Sequence, residues 1–276
     1  MRKIVLSSVL ALLVGTLAGQ TRMVRLTRFE GKAITGVSAS ASFDVELIRS
    51  ESTSAVVEIN AELEKDLVFD LDARGVIKLG LRPGVRPPHP TLRARIRLGD
   101  LRYVEASGAS DISCRGAFES AGTTIRLSGS SDLDGLELSC TGSVDIGCSG
   151  SSDMDDATIR HKEMKIALSG SSDAEILAYG GLLSCELSGA SDLKIAGEAD
   201  DATARVSGSS DLSASGLVVK KAKIEASSAS NVDFGRVDTE LTVRGSGASK
   251  IVYRGNPSSG ASLSTSSASS VRNVTE

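Results

Sequence analysis

The chain has 276 residues, a formal net charge of −4 at pH 7, 28 glycines and 3% aromatic residues with no tryptophan. That length buries a substantial core, but so few aromatic residues exclude a large aromatic core and remove the usual stacking platforms for sugars or bases. Two histidines exclude a His-rich metal site, and four scattered cysteines without a CxxC pair make neither a zinc site nor an evident disulfide framework.

The N-terminus runs Met1-Arg2-Lys3, then an apolar stretch from Ile4 to Leu17, then the small residues Ala18 and Gly19. A short basic region before a short apolar one reads as a secretory signal peptide over 1–19, cleaved between Ala18 and Gln20. Gln20 stands where a lipoprotein signal needs cysteine, which excludes acylation at that site. No later segment reaches the roughly 20 continuous apolar residues of a membrane-spanning helix. The predicted destination is the periplasm, the outer-membrane surface or the extracellular space.

Residues 20–103 form an N-terminal β-strand region, read as entry coils or a cap. Ala55–Ile59, Leu67–Leu71 and Val76–Leu79 are strand candidates separated by turn signals. The prolines of 83–90 make that stretch a loop. Thr91 to Leu98 then alternates Leu92, Ala94, Ile96 and Leu98 against Arg93, Arg95 and Arg97. It predicts a half-exposed strand on an edge or an entry coil, its three arginines forming a candidate charged contact surface. Without aromatic interleaving, on an exported chain, those arginines do not indicate nucleic acid. Residues 22–102 carry net +3 and 103–276 net −9. Such a split suits end-to-side self-association or a charged envelope polymer, although the solubility of exposed strand faces also requires charge.

From residue 104 to 276 the sequence is a repeat. Ser107-Gly108-Ala109-Ser110-Asp111-Ile112 returns with starts at Ser128, Ser149, Ser169, Ser188, Ser207, Ser227, Ser246 and Ser266, in steps of 19 to 21 residues. Apolar residues alternate by two before the phrase, as in Ile125 and Leu127, and after it, as in Ile112 and Cys114. A third apolar cluster, such as Leu136 with Leu138, falls mid-repeat. Period two means strands, and three short strands with their turns fill about twenty residues, the contour of one coil. The predicted fold class is all-β, a right-handed parallel β-helix with coils of about 20 residues. Each coil is unstable alone and is stabilised by its neighbours.

Stacking the phrases lines up Asp111, Asp132, Asp153, Asp173, Asp192 and Asp211, followed by Asn231, Lys250 and Ser270. Adjacent charges at ~4.8 Å repel by roughly 0.9 kcal/mol in water before screening, so something at each corner must offset the repulsion. The expectation is a structural ladder in which Asp or Asn satisfies nearby backbone N–H groups. One carboxylate per coil is a sparse set for Ca²⁺, so neither a metal site nor a cofactor is assigned. Cys148 and Cys185, two coils apart, would lie roughly 10 Å from each other, beyond disulfide reach. Buried free thiols are the expectation for Cys114, Cys140, Cys148 and Cys185.

No catalytic residue is assigned. His89 in the proline loop and His161 between Arg160 and Lys162 both read as surface residues. No zinc-protease, phosphate-loop or nucleophile-elbow motif occurs. The acidic pairs Asp155-Asp156 and Asp200-Asp201 read as solvent-facing turn residues, because adjacency in sequence does not set two carboxylates across a glycosidic bond.

Ile34-Thr35-Gly36-Val37 leading to Phe43-Asp44-Val45-Glu46-Leu47 is a first marker of a family resemblance. A second is Ala94-Arg95-Ile96 through Leu101-Arg102-Tyr103-Val104 into the first Ser-Gly-x-x-Asp phrase, with Gly99-Asp100 standing where a proline is familiar. On these residues, over roughly 28–271, the chain resembles the bacterial putative auto-transporter adhesin, head GIN domain family. The resemblance implies a secreted or envelope-associated right-handed β-helix whose front strands join or cap the same structure; it brings no catalytic residues and no ligand. The functional expectation is a non-enzymatic envelope or adhesin-like protein that contacts envelope or host glycans or proteins. The alternative is a carbohydrate-binding module.

Overall fold

In the computed structural model, which describes residues 22–274, strands make up 66% of the described residues and helix 2%, wound into a β-solenoid of about nine turns with coils of about 20 residues. The signal-peptide reading over 1–19 lies outside the described residues.

The N-terminal third supplies β1 (Met23–Arg28), β2 (Gly36–Ala39), β3 (Asp44–Arg49) and β4 (Ser54–Asn60), then a 3-10 turn, Ala61–Asp66. After it come β5 (Leu67–Leu71), β6 (Val76–Leu81) and β7 (Leu92–Leu98). The order of coils in space departs from chain order here. β6 and β7 form the outermost coil and pair in parallel with β2 and β3. The other edges of β2 and β3 take β8 (Tyr103–Ala106) and β9 (Asp111–Arg115), again in parallel. Residues 36–49 are therefore sandwiched between coils contributed by 76–98 and 103–115. β4 runs antiparallel to both β1 and β7, and β5 antiparallel to β6. These reversed strands cover the edges that a bare parallel coil would leave unpaired. The arginine strand, expected on an edge or an entry coil, is β7 in the outermost coil. It is paired on both sides, and its apolar residues are buried while its arginines are exposed.

From β8 onward coils follow the sequence. The next turns contribute β10 (Ala117–Ser120), β11 (Thr123–Gly129), β12 (Asp132–Asp134), β13 (Glu137–Cys140) and β14 (Ser143–Gly150). Then the strands lengthen and bend through the corner between two faces: β15 (Asp153–Leu168), β16 (Asp173–Leu187), β17 (Asp192–Val206), β18 (Asp211–Ala226) and β19 (Asn231–Gly245). β20 (Lys250–Arg254) and β21 (Ala261–Thr265) form the last turn, and β22 (Ser270–Asn273) stacks in parallel on β20.

Parity by two fills the core. One inward column runs Ile77, Val37, Val104, Ile125, Ile146, Ile166, Cys185, Ala204, Ile224 and Val243 in register, almost fully buried throughout. Each large aliphatic side chain in it contributes about 1.5–3 kcal/mol of burial. Leu263 continues the column on β21 yet is 49% exposed, because no strand among the described residues covers that face.

Candidate functional site

The corner phrase builds an ordered column along the surface. Asp111, Asp132, Asp153, Asp173, Asp192, Asp211 and Asn231 are direct register partners of one another, each opening a strand. The ladder extends one coil beyond the sequence expectation. Asp44 pairs with Asp111 on one side and with Arg93 on the other. Arg93 Nε lies 3.7 Å from the Asp44 carboxylate, and Lys250 follows Asn231, so a cation stands at either end of the acidic column. Asp44 was hidden because its corner has no glycine: Ala41 (φ +65°) and Ser42 (φ +67°) adopt the left-handed conformation there.

The corner hydrogen bonds fall largely to a different residue from the one expected. The serine before each aspartate is the fully buried group: Ser110, Ser131, Ser152, Ser172, Ser191, Ser210 and Ser230 are each 0% exposed. Ser131 Oγ accepts from Ser128 N–H at 3.1 Å and lies 3.0 Å from Ser128 O and 3.2 Å from Ala106 O. Ser172 and Ser230 donate to carbonyls in the same way. A side chain that closes the turn locally satisfies backbone groups that burial would otherwise orphan. The glycine two residues before this serine is fixed by the stack. Gly170 has φ +80°, and a Cβ there would sit 2.6 Å from the carbonyl oxygen of Gly150 one coil away. That oxygen accepts Ser171 N–H at 2.7 Å.

With serines and main chain holding the corner, the carboxylates face solvent and one another. Burial first, then neighbouring aspartates, raise Asp111 and Asp192 above the ordinary carboxylate range. Asp155 is raised by burial and then by Asp153, Asp134, Asp156 and Asp132 around it. Asn231 relieves the strain at its end of the column by donating Nδ2–H to Asp211 at 2.8 Å. Among the described residues no group of three or more His, Cys, Asp or Glu side chains is arranged to hold a metal ion. Asp200, of the second acidic pair, is bound by Lys220 at 2.6 Å.

Two of the three arginines of β7, Arg93 and Arg95, pair with carboxylates of the neighbouring strand β3. Arg95 Nε contacts Glu46 at 2.6 Å, Arg115 reaches the same carboxylate at 3.2 Å, and Arg25 meets Glu58 at 3.5 Å. Arg25, Glu58, Arg95, Glu46, Arg93 and Asp44 line a depression of about 310 Å³ that mixes cations and anions. A larger open groove, about 530 Å³, lies near the last turn, on the face built by the C-terminal ends of β16 to β19 and by β21. Its wall is an alternating column, Glu186, Arg205, Glu225 and Arg244, in register over four coils. Arg205 and Arg244 sit 3.2 and 3.1 Å from the Glu225 carboxylate between them. Lys223, Arg244 and Arg205 together hold Glu225 below the usual carboxylate range. Beside that wall runs a column of half-buried serines, Ser207, Ser227 and Ser246.

His161 corrects the expectation of a surface residue. It is 6% exposed, and neither ring nitrogen has a hydrogen-bond partner. Burial lowers its pKa. The sequence carried the signal: His161 shares parity with inward Ile159, while Arg160 and Lys162 point outward. His89 is exposed in the proline loop. All four cysteines are free thiols; Cys140, Cys148 and Cys185 are buried and Cys114 is half-buried. Burial pushes the thiols of Cys114, Cys148 and Cys185 up to about 12.

Comparison with known proteins fits this architecture. Among solved structures, a putative adhesin from Parabacteroides merdae superimposes with a TM-score of 0.64 at 16% identity, covering 93% of this chain and 98% of that one. A putative adhesin from Parabacteroides distasonis gives 0.64 at 14% identity over 94% of this chain and 96% of that one. A protein from Parabacteroides distasonis described as a putative lipid binding protein gives 0.61 at 17% identity over 91% and 96%. At such identities the likeness is one of fold. No curated protein matches the sequence. Residues 33–157 and again 136–257 match the family described as putative auto-transporter adhesin, head GIN domain. Together these stretches span most of the solenoid, and the chain belongs to that family.

Proposed function

We propose that the protein is an exported, envelope-associated rod that acts by adhesion or as a structural element, without catalysis. The observation that carries this reading is the coil geometry itself. Outward positions repeat every ~4.8 Å along a rigid stack, so ordered columns of charged and polar side chains run across successive coils, as the aspartates do from Asp44 to Asp211. Such columns suit extended, repetitive partners such as envelope or host glycans and proteins. Family membership and the adhesin-like fold neighbours support the same reading. Paired arginines, serine-stapled corners and an isolated buried histidine use these residue types for stacking rather than for a reaction centre.

The test is direct binding of the chain to immobilised host matrix proteins, glycans and isolated envelope, alongside adhesion and envelope integrity in a deletion strain. Saturable binding to one class, with a matching defect in the deletion strain, is expected. No binding to any class together with an unchanged deletion strain would refute the reading.

A second reading, glycan recognition, has a specific observation behind it. The groove of Glu186, Arg205, Glu225 and Arg244 sets charged side chains beside a serine column, giving donors and acceptors spaced for an extended polar chain. Loss of glycan-array binding on R205A and R244A substitution would place recognition there. Undiminished binding in both variants would remove the groove from consideration.

A further inference from the structure

Three of the five large hydrophobic side chains that stand exposed among the described residues belong to β16: Leu177 at 44%, Tyr179 at 38% and Leu182 at 50%. Their columns hold other residue types in the adjacent coils. Leu177 is flanked by Thr158 and Ala196, Tyr179 by Arg160 and Glu198, and Leu182 by Glu163 and Asp201. Gly180 and Gly181 between them keep the corner low, and the Arg160 guanidinium stacks over the Tyr179 ring at 5.5 Å. Core packing does not require apolar groups here, since their inward neighbours Ala178 and Leu183 already fill the interior. An exposed apolar band with a charged rim is the signature of a contact surface.

The rim identifies the partner. On the β15 side stand the cations Arg160 and Lys162, with the one anion there, Glu163, held by Lys165 at 3.1 Å; on the β17 side stand the anions Glu198, Asp200 and Asp201. Asp200 is shared with Lys220 of the following coil, whereas Lys162 and Glu198 make no ion pair among the described residues. A two-fold axis through β16, perpendicular to the rod, lays the cationic side of one copy on the anionic side of another. Rods placed side by side in the same direction would instead set like charges against like.

We propose that the β16 belt is a homodimer face on which a second copy packs side by side with its rod running the opposite way. The patch is modest. Three coils give a strip of ~14 Å by ~20 Å, near 300 Å² per copy, against about 800 Å² per partner in a standard stable interface. The dimer is therefore weak and concentration-dependent. Because β16 lies near mid-stack, the two rods overlap along most of their length, and the dimer is scarcely longer than the monomer.

Sedimentation velocity from about 10 to about 500 µM, with small-angle scattering for shape, tests this on the whole chain. The wild type should dimerise reversibly with little gain in maximum dimension. L182K, R160E and E198R should each weaken the dimer about tenfold or more while leaving the melting curve unchanged, since all three side chains are exposed. Mixing R160E with E198R should restore it, because each reversed charge then meets its opposite on the other copy. L177S supplies a second probe of the apolar band should L182K fold poorly. A monomer at every concentration, a dimer indifferent to these substitutions, an end-to-end shape, or a mixture that does not recover would each overturn the proposal. So would a monomer whose belt binds phosphatidylcholine vesicles instead.

Discussion

Gly170 is the sharpest place to test how the coils are held. Its φ of +80° is strained for any residue with a Cβ, and the added carbon of an alanine would fall 2.6 Å from Gly150 O and 2.9 Å from Gly150 N. The left-handed conformation alone costs about 1–2 kcal/mol. The overlap is with main chain rather than a yielding side chain, so the coils must part and weaken the Ser171 N–H to Gly150 O bond of 2.7 Å, for another ~1–2 kcal/mol. The G170A variant should lose about 2–4 kcal/mol. At roughly 2–4 °C per kcal/mol for a domain of this size, its Tm should fall by roughly 5–15 °C. Gly260 is the control: its φ is +95°, but a Cβ there meets nothing within 4 Å. G260A should therefore carry only the backbone cost of about 1–2 kcal/mol. Differential scanning calorimetry of both variants separates the two contributions, and hydrogen exchange should localise the G170A damage to β15, β16 and their corner. Equal Tm losses in the two variants would refute close main-chain stacking of the glycines.

Other consequences follow from the acidic ladder and the buried polar groups. D192N removes two in-register repulsions, each roughly 0.9 kcal/mol before screening, and should stabilise the protein by about 1 kcal/mol at pH 7 and low salt, with the gain fading in high salt. Asp111, Asp155 and Asp192 have raised folded pKa values, so the native state takes up their protons first and their destabilisation is relieved as pH falls through those values. Urea denaturation at stepped pH should show that relief shrinking in D192N. His161 works in the opposite direction: its lowered folded pKa means stability held above about 6.5 is lost on acidification. Replacing it by leucine should stabilise by about 1–3 kcal/mol at pH 7, by removing unpaired buried nitrogens, and by more near pH 5.5. The thiols of Cys114, Cys148 and Cys185 should resist a disulfide reagent at pH 8 until the chain is unfolded; rapid native labelling would contradict their burial.

The strand period and the coil length were legible because nine corner phrases recur with little drift in spacing. The role of the front strands was only partly legible. β2 and β3 form a regular coil, yet their corner, Ser40-Ala41-Ser42-Phe43-Asp44, lacks the glycine and places Phe43 where later coils place serine. Insertion of that coil between two later segments depends on pairings 40 to 70 residues apart, which no local pattern encodes. The aspartates drew notice by repetition, but the serine beside each of them repeats as faithfully and does more of the corner hydrogen bonding, because its short hydroxyl fits the buried turn. The β16 belt breaks the outward pattern only once, so the repeat hid it. Its meaning emerges when neighbouring coils supply the charges on either side.

Spin-label distances along the corner column test the central claim most directly. Nitroxide pairs at positions 111 and 192, 111 and 211, 44 and 211, and 44 and 250 are separated by four, five, six and eight rungs of the register. At ~4.8 Å per rung the distances should rise linearly, from about 19 Å to about 38 Å. Position 44 should lie on the same line as the rest. Distances that scatter, or a position 44 lying off the line by more than the reach of the label, would contradict a single in-register stack.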